Sequence, residues 1–300
     1  MEAVSFGKKL KTELTERIAK KMPLKKAELL GMLCFCDECS RKRILLSTDS
    51  AEAVTVFSEL MQDVFGILPE FSVGIGRTGN TYTVQLNESS DVLDVLAEFF
   101  VNDINFPDLS DFSQEELSFF LCGAYLASGT VMDPTREYRM EFAVRDEEQA
   151  YRLCEQISRI SEPATITMRK KQYLVYTKSS ECIEDLMIFM GAKLSAMELM
   201  NIKIYKDIRN QTNRRSNCET ANIGKTVAAS LAQAEDIRLV TEKAGWEAFP
   251  ENLLEIAQLR LENPEMSLSE LGKLLKTPLS RSGVNHRFEK IHELAEKYRR

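Results

Sequence analysis

The chain has 300 residues, of which 44% are hydrophobic and 28% charged, with a net charge of −7. That is an ordinary globular composition, long enough for two or three domains, and it argues against collagen-like and disordered classes. No apolar run approaches the roughly 18 to 20 residues of a bilayer span, and the charged opening has no secretory pattern, so a soluble cytoplasmic protein without a membrane partner is expected.

The seven cysteines are odd in number and irregularly spaced, and read as reduced thiols that pack as small core residues. Charge is uneven. Residues 1–200 hold 22 basic and 32 acidic side chains, residues 201–300 hold 17 and 14, and residues 271–300 hold eight and three. An acidic body with a cationic terminus is what a small nucleic-acid-binding module on a larger domain looks like.

After an N-terminal helical segment, residues 1–22, the chain repeats itself. Two apolar helices, Lys26–Leu33 and Glu116–Leu126, each carry a mid-helix glycine, Gly31 and Gly123, 92 positions apart. The stretches beginning Ser89-Ser90-Asp91 and Ser179-Ser180-Glu181 match in chemistry at an offset of 90. The pattern predicts a duplicated domain over 23–192, with halves at about 23–105 and 112–192, each reading helix, strand, helix, two strands, helix. In the first half the strand is 43–48, the helix 50–65 and the hairpin 71–75 with 81–86. The second half repeats this at 138–144, 146–160, 164–168 and 172–176. Ser89 and Ser179 stand where N-caps belong. A glycine in an apolar helix costs up to about 1 kcal/mol relative to alanine, and close helix crossing is the reason that would repay it.

These glycine helices resemble the LAGLIDADG homing-endonuclease fold, which implies two motif helices packed on a pseudo-dyad over two curved sheets. In that family each motif helix ends in a carboxylate that holds a catalytic divalent metal. Aligned on the glycines, those positions fall on Cys36 and Ser128, neither of which is a hard anionic ligand. Asp37 lies one residue away, but that turns a helical side chain by about 100°. The expectation is therefore a body without nuclease chemistry, metal or cofactor.

Other motifs fail on context. Gly74-Ile75-Gly76-Arg77-Thr78-Gly79 has the letters of a dinucleotide fingerprint, but the alternating run 80–86 that follows reads as a strand, so the glycines mark a hairpin tip. Gly224-Lys225-Thr226 has Glu219 where a P-loop needs its first glycine. Cys34, Cys36 and Cys39 crowd together without an evident fourth zinc ligand and read as packing residues. The two histidines, His286 and His292, lie six apart on one predicted helix and diverge, which removes most acid–base schemes.

Residues 193–245 read as a helical basic linker. Over 193–216, Leu194, Met197, Ile204 and Ile208 share one side, while Lys203, Lys206 and Arg214 tend to the other with Arg209 and Arg215 beside them. This cationic side suits secondary phosphate contacts or a solvated surface between domains. Cys218–Asn222 breaks the pattern, and a second helix runs from Ile223 to Val240.

Residues 246–300 read as three short helices. Pro250 starts the first, Asn263-Pro264 stops it, and Ser267-Leu268-Ser269-Glu270 is a capping box for the second. Ser280 or Ser282 caps the third, whose Val284, Phe288, Ile291 and Ala295 form one apolar face. Such an arrangement is a helix-turn-helix module, with Ser280, Arg281, Ser282, Asn285, His286, Arg287 and Lys290 as candidate contacts to double-stranded DNA. A small bundle with a solvated basic helix is the alternative.

The segments Asp207–Arg214, Asn217–Asn222 and Ser280–Arg287 are similar to the WhiA family of bacterial sporulation regulators, over nearly the whole chain. That resemblance implies an α+β degenerate LAGLIDADG-like domain followed by an all-α helix-turn-helix domain. It also implies a non-enzymatic, nucleoid-associated transcription factor linked to cell division, chromosome segregation or sporulation. The acidic balance of residues 1–200 suits a protein partner on that domain. The cysteine-rich stretch Cys34–Cys39 departs from the family pattern. Two other readings stay open on the residues alone: a metal-dependent endonuclease, and a division scaffold with incidental DNA affinity.

Overall fold

The computed structural model describes residues 4–76, 79–100 and 107–299, and the chain divides into two compact units, Met1–Lys206 and Asp207–Arg300. Residues 1–3, 77, 78, 101–106 and 300 lie outside the described residues, so the ends of the N-terminal segment and of the first predicted half, and Arg77 and Thr78 of the glycine motif, are not placed.

In the first unit, helix α1 (Phe6–Thr15) begins at Ser5, whose hydroxyl accepts from the Lys8 amide, and buries Phe6, Leu10 and Leu14. The two motif helices follow as α2 (Met22–Phe35) and α5 (Gln114–Ser128), the latter opened by a Ser113/Glu116 capping box. Both are buried on every side through their central turns, at 27–35 and 117–127. A helix that is apolar all round belongs at the centre of a domain. The mid-helix glycines do lie in the crossing: a Cβ on Gly31 would stand 2.0 Å from the Phe120 carbonyl oxygen, and one on Gly123 2.0 Å from that of Glu28.

Each motif helix leads into a four-stranded antiparallel sheet. One is ordered β1 (Glu38–Cys39), β2 (Ile44–Thr48), β4 (Gly79–Leu86), β3 (Glu70–Gly76); the other is β5 (Gly129–Val131), β6 (Met140–Val144), β8 (Gln172–Thr177), β7 (Thr165–Arg169). The identical order of the two sheets is the structural form of the duplication. Helices α3 (Ala51–Phe65) and α6 (Glu147–Ser158) connect the second and third strands, while α4 (Ser89–Phe99) and α7 (Ser180–Met190) close the halves. Along β2 and β6 alternate residues are buried, as a half-covered sheet requires.

In the first unit, two features differ from the sequence expectation. Each half has one strand more than predicted, because β1 and β5 are too short to show alternation and exist only through their pairing with β2 and β6. The N-cap of α4 is Glu88, so Ser89 is the first helical residue, whereas Ser179 caps α7 as expected and accepts from the Cys182 amide. The glycine motif forms the β3–β4 hairpin, with Gly76 paired to Gly79, and no helix follows it.

Helix α8 runs without interruption from Lys193 to Ala244. The predicted break at Cys218–Asn222 does not occur: no proline stands there, and Asn222 stays within the helix, its side-chain amide reaching the Cys218 sulfur one turn back. The second unit continues with a 3-10 turn (Trp246–Ala248), α9 (Glu251–Glu262), α10 (Leu268–Leu274) and α11 (Arg281–Arg299). Its core joins Phe249, Leu253, Ile256, Leu271, Val284 and Phe288 to Ile237 and Val240 of α8, so the late turns of α8 complete the C-terminal bundle. No helix among the described residues is long and apolar enough to cross a membrane.

Candidate nucleic-acid interface

In the second unit, α10 and α11 form a helix-turn-helix pair that depends on a glycine the sequence reading passed over. The Leu279 amide donates to the Gly272 carbonyl at 3.0 Å, and a Cβ on Gly272 would lie 2.4 Å from the Leu279 carbonyl oxygen. Only glycine lets the turn fold back this closely. Of the two serines that could cap α11, Ser280 does so: its hydroxyl accepts from the Gly283 amide at 3.3 Å and lies 2.9 Å from the Ser282 hydroxyl.

Ser280, Arg281, Ser282 and Asn285 meet with Leu268 around one hollow at the start of α11. The other three candidates lie elsewhere on the helix. At about 100° per residue, Arg281 and Asn285 share one flank, Arg287 lies on the other, and His286 with Lys290 points outward between them. All are exposed except Arg287, which is half-buried beside Val284 and Phe288. Glu289, which the sequence reading did not weigh, holds two of them. The Asn285 amide donates to its Oε1 at 2.8 Å, and His286 Nδ1 lies 3.4 Å from its Oε2. Arg281, Arg287 and Lys290 make no ion pair among the described residues.

The far half of α11 is pinned to α8. Asp236, almost fully buried, lies 2.7 Å from His292 Nδ1 and accepts from Arg299 Nη2 at 2.7 Å. Charge-assisted pairs of this kind contribute about 1.5 to 3 kcal/mol each at best, less where one partner is exposed, as His292 and Arg299 are here. Asp236→Ala is expected to destabilise the second unit by about 2 kcal/mol; an unchanged denaturation midpoint, followed by Trp246 fluorescence, would show that the pairs contribute nothing.

The candidate secondary contacts divide. Lys203 is held by Glu181 and, at 3.6 Å, by Glu184, and its hydrogen bond lowers the Glu181 carboxyl to about 2. Lys206 places its ammonium 4.5 Å from the Tyr138 ring centroid. Both therefore turn toward the body. Arg209, Arg214 and Arg215 are exposed, Arg215 pairing with Glu219 at 3.0 Å. The side expected to be apolar faces outward: Leu194 is 72% exposed, and Met197, Ile204 and Ile208 are each more than half exposed.

In the first unit, Cys36 and Ser128 reach the same place at the ends of the motif helices, lining a cleft of about 340 Å³. What surrounds them does not fit a divalent metal. The Ser128 hydroxyl donates to the Ala124 carbonyl, and the neighbouring Cys39 thiol together with burial pushes the Cys36 thiol well above its ordinary range. Asp37 accepts from the Ser47 amide at 2.5 Å, and Asp49 is neutralised by Lys11, whose ammonium lies 2.7 Å away. Both nearby carboxylates thus already have protein donors, and a lysine ammonium occupies the cleft where hard oxygen ligands would be needed. Within the described residues of the eight strands Arg169 is the one cation, beside Glu38, Glu70 and Glu141, while Lys170 and Lys171 stand at the exposed β7–β8 tip and Arg139 and Arg145 flank β6.

The fold and site define a LAGLIDADG-like body followed by a helix-turn-helix module. Residues 117–209 match the WhiA LAGLIDADG-like domain family and residues 212–295 the WhiA C-terminal HTH domain family. The chain is 34% identical to the "Probable cell division protein WhiA" of Clostridium acetobutylicum, over 99% of each, and 33% identical to that of Thermoanaerobacter pseudethanolicus, over 98% of each. It belongs to the WhiA family. The crystal structure of full-length WhiA from Thermotoga maritima shares the fold, with a TM-score of 0.60 over 98% of this chain and 99% of that one at 22% identity. The N-terminal LAGLIDADG domain of WhiA, solved alone, matches 63% of this chain and 94% of its own length, with a TM-score of 0.50 and 18% identity.

Proposed function

We propose that this protein is a non-catalytic, sequence-specific DNA-binding regulator acting in bacterial cell division, with α11 as the helix that enters the major groove. The observation that carries this reading is the N-terminal half of α11, where Arg281, Arg287 and Lys290 make no ion pair among the described residues and Ser280 and Ser282 stand at the helix start. Arginine suits guanine or phosphate, and Asn285 suits adenine once it leaves Glu289. The cell-division role rests on the names of the relatives. The acidic balance of residues 1–200 supports a protein partner, not a duplex, for the LAGLIDADG-like body. Nucleoid association would follow from the DNA contact.

Arg287→Ala is expected to weaken specific duplex binding by about 1 to 3 kcal/mol, roughly 5- to 150-fold. The check is a titration of full-length protein and variant against promoter-region duplexes at several salt concentrations, with and without magnesium. Equal affinities would remove Arg287 from the interface. Salt-insensitive binding would argue against phosphate contacts, and duplex cleavage dependent on magnesium would restore the endonuclease reading.

A further inference from the structure

The first sheet ends in an open strand. Strand β3 is the outermost of its sheet, and among the described residues its backbone pairs with β4 alone. The pairing runs from Glu70 opposite Gln85 to Gly76 opposite Gly79 without a bulge, so all seven residues present a regular free edge. Residues directly opposite one another in a sheet share a face. Phe71 stands opposite Val84, which stands opposite Leu46, and the last two are buried. Val73 and Ile75 lie on the same face as Phe71, with Val73 opposite Tyr82. The core-facing side of the sheet therefore continues onto β3, yet Phe71 is 57% exposed there, Val73 51% and Ile75 90%. The second half shows the same place covered. Ile166 of β7 stands in line with Val175 and Phe142, as Phe71 does with Val84 and Leu46, and it packs against the core.

Edge strands are ordinarily kept short, bulged, or marked with lysine or proline, because an open edge recruits another strand. β7 follows that rule: it has five residues and ends at Arg169, just before Lys170 and Lys171. β3 carries none of these devices. Its one charge, Glu70, is drawn back over β4, where Oε2 accepts from Gln85 Nε2 at 2.9 Å and from Asn87 Nδ2 at 3.0 Å. We infer that β3 is a self-association edge whose occupant is β3 of a second copy of this chain, paired antiparallel about a two-fold axis at Val73. The strand is complementary to itself in that register. Phe71 meets Ile75 of the other copy and Val73 meets its own counterpart, so the three exposed apolar side chains of each copy close into one strip. On the opposite face Ser72 meets Gly74, small against small. Glu70 meets Gly76, which keeps the two carboxylates at opposite ends of the ribbon with no like charges facing. An isologous contact of this kind closes at two copies. One strand pair and one apolar strip make a small interface, so a reversible, concentration-dependent dimer is expected. This names one partner for the LAGLIDADG-like body. The DNA-binding reading rests on α11 and its own titration, so either can fail without the other.

Sedimentation equilibrium of the full-length protein over a series of concentrations reads the association. The expected result is a reversible monomer–dimer equilibrium in which the backbone amides of residues 70–76 exchange hydrogen more slowly at high concentration than at low. Val73→Lys sets two ammonium groups against each other across the axis and should weaken association roughly 10- to 100-fold. Its circular dichroism spectrum and unfolding midpoint should stay those of wild type, since Val73 is half exposed. Val73→Glu should behave alike, and an equimolar mixture of the two variants should recover association because the facing charges are then opposite. A mass that stays monomeric at the highest soluble concentration overturns the inference. So does a dimer that Val73→Lys leaves intact, or a mixture that does not recover, since the contact then lies elsewhere. A monomer whose β3 amides are protected by an added peptide of sequence 70–76 also overturns it, and makes a strand of another protein the occupant. The exchange pattern of the wild-type protein decides this even if neither variant folds.

Discussion

Gly31→Ala is expected to destabilise the N-terminal unit by about 3 kcal/mol or more, although alanine is the better helix former by about 1 kcal/mol. The added Cβ would stand 2.0 Å from the Phe120 carbonyl oxygen and 2.9 Å from the Ala124 amide nitrogen. These are backbone atoms of the facing helix, which cannot rotate away as a side chain can. Relief requires α2 and α5 to separate, and every layer packed on them, including Leu29, Leu33, Leu117 and Leu121, would loosen with them. Gly224→Ala supplies the control. That glycine also lies inside a helix, but a Cβ there meets nothing within 4 Å, so propensity alone acts and α8 should gain up to about 1 kcal/mol. Urea denaturation followed by circular dichroism measures both. A Gly31→Ala variant as stable as wild type would mean that the motif helices do not cross in backbone contact.

Glu28→Gln is expected to stabilise the same unit, and only above mildly acid pH. Glu28 lies in the α2–α5 crossing, 2% exposed, where burial raises its carboxyl to about 7; the nearby Arg17 charge and a 3.7 Å contact from the Cys122 thiol offset part of this. Arg17 is otherwise engaged, donating to the Ser118 hydroxyl and the Met190 carbonyl at 2.8 Å each. A carboxyl raised in the folded state binds its proton more tightly there than when unfolded. Its contribution is fully present below about pH 4.5 and is lost as pH rises through about 7. At about 1.4 kcal/mol per pH unit, the loss is about 3 kcal/mol. The glutamine variant carries no such loss, so it should match wild type near pH 4 and exceed it by up to about 3 kcal/mol at pH 8. Stabilities from urea denaturation at the two pH values check this. A difference that does not change with pH would show that Glu28 keeps an ordinary carboxyl.

Both predictions concern residues that a sequence reading treats very differently. Gly31 and Gly123 were legible because their cost in a helix demands a reason and the repeat supplied one. Glu28 is one polar letter in an apolar helix, and nothing local says that the opposite helix closes over it. The same contrast holds at the DNA-binding end. The Ser267 capping box, the apolar face of α11 and its exposed basic residues follow from local spacing. The flanks of Arg281 and Arg287 and the reach of Glu289 to Asn285 and His286 are also set by helical spacing, whereas the part Gly272 plays in admitting the turn required the two helices to be packed. In the linker, the apolar side was legible but its direction was not, since α8 turns Ala196 and Leu199, not Leu194 and Met197, into the body.

By itself the sequence determined what depends on repetition, composition and short spacing: the duplication, the paired glycines, most of the helix caps and the cationic C-terminal helix. Apart from the repeat, these are properties of residues within a few turns of one another, and the energies of capping, periodic burial and backbone freedom are local. Only the tertiary structure decided the edge strands β1 and β5, the unbroken course of α8, the pairing of Lys203 with Glu181, and the meeting of Lys11 with Asp49 in the cleft at the ends of the motif helices. The strand pairings and the two ion pairs depend on backbone and side-chain partners outside the element that carries them, and α8 stays unbroken because no proline interrupts its hydrogen bonds.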